Sequence, residues 1–374
     1  MRRSGRIHNA PGLLVLAFVI SGCAGSGTLE RVAMPTNSPT PFVAGYHVYW
    51  AEEAWTEYPF DILDELYFFE LEADADGGFL DRHGWSTRWR EMTTQARAAG
   101  VQVTPTVSMH DADAFRTLFP DAERVERLVQ NVVGLLDASP DVAGIHLDFE
   151  VFETVEPDVR DGFTAFVVAL AAEMRSRHPT KALSVFAMAF DDDDVYNERV
   201  LGRVADYLVV QGYDYHSAGS SNAGPVAGLA GWGRLNWDTV LDRFRVFGVP
   251  AGKIVMSVPL YGYEWPVESD ALGATTRGVG VTIPYAAPRE MVGGAPSARD
   301  EAARHGAERD EQSRSPWYRY LASDGWRQGW YDDAESLREK YDFARSRGLG
   351  GIALFPLAYG DPDIWEGLRA TFAR

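Results

Sequence analysis

Short apolar runs recur along the chain and alternate with longer amphipathic stretches. From about residue 43 the runs read FVAGYHVYW (42–50), ILDELYFFELE (62–72), VQVTPTVSM (101–109), VAGIHLDFE (142–150), LSVFAMAF (183–190), ADYLVVQGYDY (205–215), KIVMSVPLYGY (253–263) and GGIALFPLAYG (350–360). Their β-branched and aromatic content predicts eight strands. Between them, ERVERLVQNVVGLLDA (123–138) and GFTAFVVALAAEMRSRH (162–178) carry apolar residues at helical spacing. TRWREMTTQARAAG (87–100) ends on glycine, and DAESLREKYDFARSRG (333–348) opens acidic and closes basic, as the helix dipole favours. Such alternation predicts a parallel sheet, and eight strands is the number that closes a (β/α)8 TIM barrel. The helix after the first strand is weakly signalled. The longest departure, residues 264–332, lies between strand 7 and helix 7 and holds Trp265, Trp317, Trp326 and Trp330. It reads as an insertion at the top of the barrel, where βα loops build active sites.

The fourth run carries the chemistry. In AGIHLDFE (143–150) an extended chain puts Ile145, Leu147 and Phe149 on one face and His146, Asp148 and Glu150 on the other. In a closed barrel one face packs on helices and the other looks inward. Glu150 then falls at the C-terminal end, where catalysis sits. Two carboxylates at i and i+2 in a partly dry site cannot both ionise cheaply, so one is expected to keep its proton, as a general acid requires. A structural polar network at the barrel mouth is the alternative.

Composition narrows the ligand. The 374 residues are 46% hydrophobic, ample for one large α/β domain. A formal net charge of −19 argues against nucleic acid and disfavours polyanions; neutral ligands stay open. The single cysteine excludes an intramolecular disulfide. The chain begins MRRSGR, continues into LLVLAFVI and reaches ISGCAGS, the pattern of a secretory signal peptide over residues 1–22. Ile20-Ser21-Gly22-Cys23 resembles a bacterial lipobox, so Cys23 is the expected lipidation site; an incidental cysteine is the bland alternative. Residues 23–42 read as a flexible linker and 43–374 as the folded domain. The expectation is an exported monomer held to the bacterial membrane by its lipid alone, on the periplasmic or cell-surface face.

These motifs together resemble glycoside hydrolase family 18, the chitinase-type barrels. The family's fourth-strand Asp-Gly-x-Asp-x-Asp-x-Glu aligns with Ala143-Gly144-Ile145-His146-Leu147-Asp148-Phe149-Glu150, keeping the last Asp and the Glu. Its sixth-strand Met-x-Tyr-Asp aligns with Gln211-Gly212-Tyr213-Asp214, and Gly-x-Pro-x-Tyr-Gly is similar to Ser257-Val258-Pro259-Leu260-Tyr261-Gly262. Gly45-Tyr46 looks like the first-strand Gly-Tyr, and 330–355 resembles the closing helix and strand. The likeness is nearest to the branch of spore-cortex-lytic glucosaminidases and related bacterial lipoproteins. It implies retaining hydrolysis of β-1,4-linked N-acetylglucosamine glycans, chitin oligosaccharides or peptidoglycan strands, assisted by the substrate's own acetamido oxygen. It also implies Glu150 as acid and base, Asp148 as charge stabiliser, Tyr213 on the acetamido carbonyl and Asp214 in support. Tyr46, His146, Gln211, Tyr261, Trp265 and Phe355 would contact substrate. No metal or cofactor is expected. Three positions depart from the family: His146 replaces an Asp, Thr106-Val107-Ser108-Met109 stands for Ser-x-Gly-Gly, and Phe355 replaces a Trp. A non-catalytic glycan-binding lipoprotein on the same fold is the rival reading, and a two-lobed solute-binding lipoprotein a third.

Smaller signals have bland readings. The acidic run Asp191 to Asp194 reads as a solvated loop, with a Ca²⁺ site as the sharper alternative. Residues 214–225 read equally as a connector or as a loop bending over a ligand.

Overall fold

The structure, a computed structural model, describes residues 41–286 and 297–372. The predicted signal peptide, Cys23 and the linker to residue 40 lie outside the described residues. In chain order the first elements are β1 (Phe42–Val48), β2 (Glu65–Ala73), β3 (Phe79–Asp81), α1 (Arg90–Ala98), β4 (Gln102–Met109), α2 (Ala112–Leu118) and α3 (Ala122–Ala138). Then come β5 (Gly144–Phe149), α4 (Pro157–Arg177), β6 (Ala182–Ala187), α5 (Glu198–Val204), β7 (Tyr207–Val210), α6 (Trp237–Val246) and β8 (Ile254–Pro259). An insertion follows, with β9 (Tyr261–Val267), β10 (Val281–Pro284), α7 (Ala298–His305), β11 (Ala307–Arg309), β12 (Pro316–Ala322) and β13 (Gly325–Trp330). The chain then returns through α8 (Ala334–Arg347), β14 (Gly351–Phe355) and α9 (Pro362–Phe372).

Parallel pairing runs β1–β2–β4–β5–β6–β7–β8–β14, and β14 pairs back to β1. The sheet is therefore a closed eight-stranded barrel, as expected. The weak helix signal after the first strand corresponds to a 3₁₀ segment, Tyr49–Glu57. The insertion is its own small antiparallel sheet, ordered β10–β9–β13–β12–β11. It starts at Tyr261, three residues earlier than the sequence suggests, because Pro259 ends β8 and the chain re-pairs with the insertion.

Helix ends follow local chemistry. Asp121 caps α3 by accepting from the amides of Glu123 and Arg124. Asp333 and Ser336 form a reciprocal box at the start of α8, and Gly348 ends that helix at φ +65°, where a side chain would be strained.

On β5 the two faces separate as the alternation predicts. Phe149 packs among Phe119, Phe163 and Phe166, ring centroids 5.6–5.8 Å away, on the helical layer. Inside the barrel, the middle layer is polar and aromatic: Tyr46 lies opposite Tyr67, and His146 lies between Thr106 and Ser184, all buried.

Glu65, at the entry of β2, is buried in the barrel floor and accepts a hydrogen bond from Thr104. Burial raises its carboxyl from 4.5 to about 7, with Thr104 and Tyr67 opposing and Asp64 adding to the rise. A native value above the unfolded one means the folded protein binds the proton more tightly. The resulting stability is complete below about pH 4.5 and is lost as pH rises through about 7. Wild type should therefore lose about 3 kcal/mol more than Glu65→Gln over that window. Urea unfolding of both proteins at several pH values checks this; parallel profiles would refute it.

Candidate active site

Glu150 directly follows β5, and its amide donates to the Met109 carbonyl at 3.0 Å, so the strand ladder holds it at the barrel mouth. The hydroxyl of Tyr196 donates to the Phe149 carbonyl and receives the Val151 amide at 3.4 Å, pinning the turn on either side of Glu150. Nothing in the sequence marked Tyr196, because its partners are backbone atoms.

Around Glu150 lies a hollow of about 510 Å³. Asp148 from β5 and Glu150 just after it meet Tyr213 and Asp214, which follow β7, in its wall. Tyr46, Gln211, Tyr261 and Phe355, four of the residues expected to contact substrate, line it too. Phe355 forms an aromatic floor, edge-on to Tyr46 at 5.4 Å and near-parallel to Tyr213 at 6.0 Å. Phe69 joins it edge-on at 6.0 Å, a wall residue the sequence reading missed because it looked like one more strand apolar.

Asp214 adopts φ +59°, a left-handed conformation that costs a non-glycine residue about 1 kcal/mol. Its carboxylate accepts from the Tyr261 hydroxyl at 2.9 Å and is also hydrogen-bonded by Tyr263. Burial raises the Asp214 carboxyl, and those two hydroxyls oppose the rise. Burial and the surrounding carboxylates likewise raise the phenols of Tyr213 and Tyr46, which stay protonated.

Asp148 and Glu150 are hydrogen-bonded to each other. Burial pushes both carboxyls up, and the charge of Glu150 adds to the rise at Asp148. Burial and the like charge therefore resist ionising both members of the pair at once. Asp148 Oδ1 is buried with no hydrogen-bond partner, as is the hydroxyl of Ser108, its register neighbour on β4. An unpaired buried carboxylate oxygen calls for a donor.

Two expected contact residues do not reach the hollow. His146 is fully buried one layer down, bonded through Nε2 to the Tyr46 hydroxyl (2.9 Å) and through Nδ1 to Ser184 (2.9 Å). Burial lowers its ring to about 3, so it is neutral and supports Tyr46. Trp265 is also fully buried, in the apolar centre of the insertion with Trp317 and Trp330. Its indole donates to the Ser217 carbonyl at 3.1 Å, so it anchors the loop after β7, whose Tyr215 and Ser217 line the hollow. The acidic run is structurally committed: Asp191 accepts from the Val195 and Tyr196 amides, Asp192 pairs with Arg234, Asp193 with Thr154 and Asp194 with Arg160. No group of three or more metal-ligating side chains occurs among the described residues.

A closed (β/α)8 barrel with an acidic, aromatic-walled hollow at its C-terminal mouth is the architecture of a barrel hydrolase. The chain belongs to glycosyl hydrolases family 18, whose model matches residues 43–360. Among curated relatives, YdhD of Bacillus subtilis is 28% identical over 247 residues, 64% of this chain and 52% of that protein. The cortical fragment-lytic enzyme of Bacillus anthracis is 21% identical over 317 residues, 83% of this chain and 68% of that protein. The chain thus spans from about half to just over two thirds of the length of these relatives. In solved structures the fold recurs in a chitinase of Chromobacterium violaceum, with TM-score 0.69, 23% identity, and coverage of 90% of this chain and all of that one.

Proposed function

We propose that the protein hydrolyses β-1,4-linked N-acetylglucosamine glycans with retention, assisted by the substrate's acetamido group. The observation that carries this reading is the unpartnered, buried Asp148 Oδ1 beside Glu150, facing Tyr213 and Asp214 across a hollow floored by Phe355. In the first step the acetamido oxygen bonds to the anomeric carbon while the glycosidic C–O bond breaks. Glu150 gives its proton to the departing oxygen. Asp148 accepts the acetamido N–H and balances the positive charge of the oxazolinium ion. Tyr213 donates to the acetamido oxygen, and Asp214 is held in place by Tyr261. In the second step the Glu150 carboxylate takes a proton from water, whose oxygen bonds to the anomeric carbon and expels the acetamido oxygen. Two inversions leave the configuration retained.

A net charge of −19 supports neutral glycans. Lipidation at Cys23 would hold the enzyme at the cell envelope and make peptidoglycan strands the nearer substrate, with chitin oligosaccharides as the alternative. Metabolic labelling with an alkyne fatty acid should tag wild type and spare Cys23→Ala; equal labelling would defeat the anchor. Mass spectrometry of products from chitin oligomers and purified peptidoglycan tests the reaction, with Glu150→Gln as control. Binding without turnover in wild type would favour the glycan-binding rival.

A further inference from the structure

A carboxylate–imidazole pair stands at the barrel mouth, outside the roles assigned above. Glu70, near the C-terminal end of β2, has a side chain only 9% exposed and is bonded to His110 Nε2 at 3.1 Å. His110 directly follows β4. Its preceding residue, Met109, is in register with Phe149 and accepts the Glu150 amide, so His110 and Glu150 occupy the next rung of the two strands. The Phe69 ring lies 5.9 Å from the imidazole, flanking it on the β2 side.

We propose that the Glu70–His110 pair is a positioning device for Glu150: a carboxylate-anchored imidazole, fixed one strand away, that steadies the acid electrostatically from the side opposite Tyr213 and Asp214. An inner carboxylate bonded to a ring nitrogen fixes the imidazole's orientation and favours its cationic form. A cation beside a general acid stabilises the carboxylate left when the proton departs, and so eases proton donation to the leaving oxygen. The remaining groups around the pair act on both members. His110 faces Glu70 and Glu72 from β2 and Glu150 from β5, and together these raise its ring against the effect of burial. Burial pushes the Glu150 carboxyl up, with Asp214 after β7 and Glu70 adding to the rise, while His110 and then the hydrogen bond with Asp148 hold it down. The phenols of Tyr46, Tyr196 and Tyr213 nearby stay protonated.

This inference rests on Glu150 being the acid. It is tested by the pH profile of kcat for chitin oligomers in wild type, His110→Gln and His110→Arg. His110→Gln should move the alkaline limb up by about half to one pH unit, with KM changed less than twofold. His110→Arg keeps a cation against Glu70 and should leave the limb near wild type. The His110 side chain is 41% exposed, and thermal unfolding midpoints verify that both variants fold. An unmoved limb in His110→Gln, or equal shifts in both variants, would overturn the proposal. Those outcomes leave the hydrolase reading standing; only full turnover in Glu150→Gln would remove the acid itself.

Discussion

Glu150→Gln is expected to lower kcat on N-acetylglucosamine oligomers by about 1,000- to 10,000-fold with little change in KM. Gln has the size of Glu but can neither give a proton to the leaving oxygen nor take one from water. Both half-reactions lose their catalyst, while the floor of Phe355 and the Tyr213–Asp214 wall remain to bind substrate. The loss should be smaller in the first step for aryl glycosides, whose leaving groups need less protonation. Steady-state and single-turnover kinetics on both substrate types separate the two steps. Wild-type rates in this variant would remove Glu150 from the mechanism.

Asp148→Asn should cost about 100- to 1,000-fold in kcat. Asn can still hydrogen-bond an acetamido group, but it carries no charge to balance the oxazolinium ion. The pH profile should move as well. In wild type, ionising both members of the buried pair brings two negative charges together, which holds the last proton to higher pH. With Asn at position 148, Glu150 ionises without that penalty, so the alkaline limb should shift to lower pH. This is the opposite sign from His110→Gln, and the contrast separates the two neighbours of the acid. An unshifted limb in Asp148→Asn would mean that the two carboxyls do not resist each other's ionisation.

Much of the candidate site's geometry was legible in the sequence. The i, i+2 spacing of Asp148 and Glu150 placed both carboxylates on one face, and the structure sets that face inward because Phe149 and its partners fill the other with aromatic packing. Eight apolar runs alternating with amphipathic stretches led to the closed barrel. His146 and Trp265 were the misplaced contacts. His146 shares the face of Asp148, yet two residues at ~3.3 Å each put it a layer deeper, where Tyr46 covers it. Trp265 sits near a strand end, as a sugar-stacking residue would, but the insertion's own sheet buries it in an apolar cluster with Trp317 and Trp330.

The sequence alone determined which side chains share a strand face, since backbone geometry dictates that locally and no distant residue can alter a period of two. It thereby determined the acidic pair, the barrel and the family likeness. Depth, exposure and partnership were decided only by tertiary structure: burial set the unpaired Asp148 oxygen and the coupling of its carboxyl to Glu150, while the Tyr196 clamp and the Glu70–His110 contact join residues from different elements. Such contacts arise when the barrel closes and removes water from its mouth, and burial then sets which groups can carry charge.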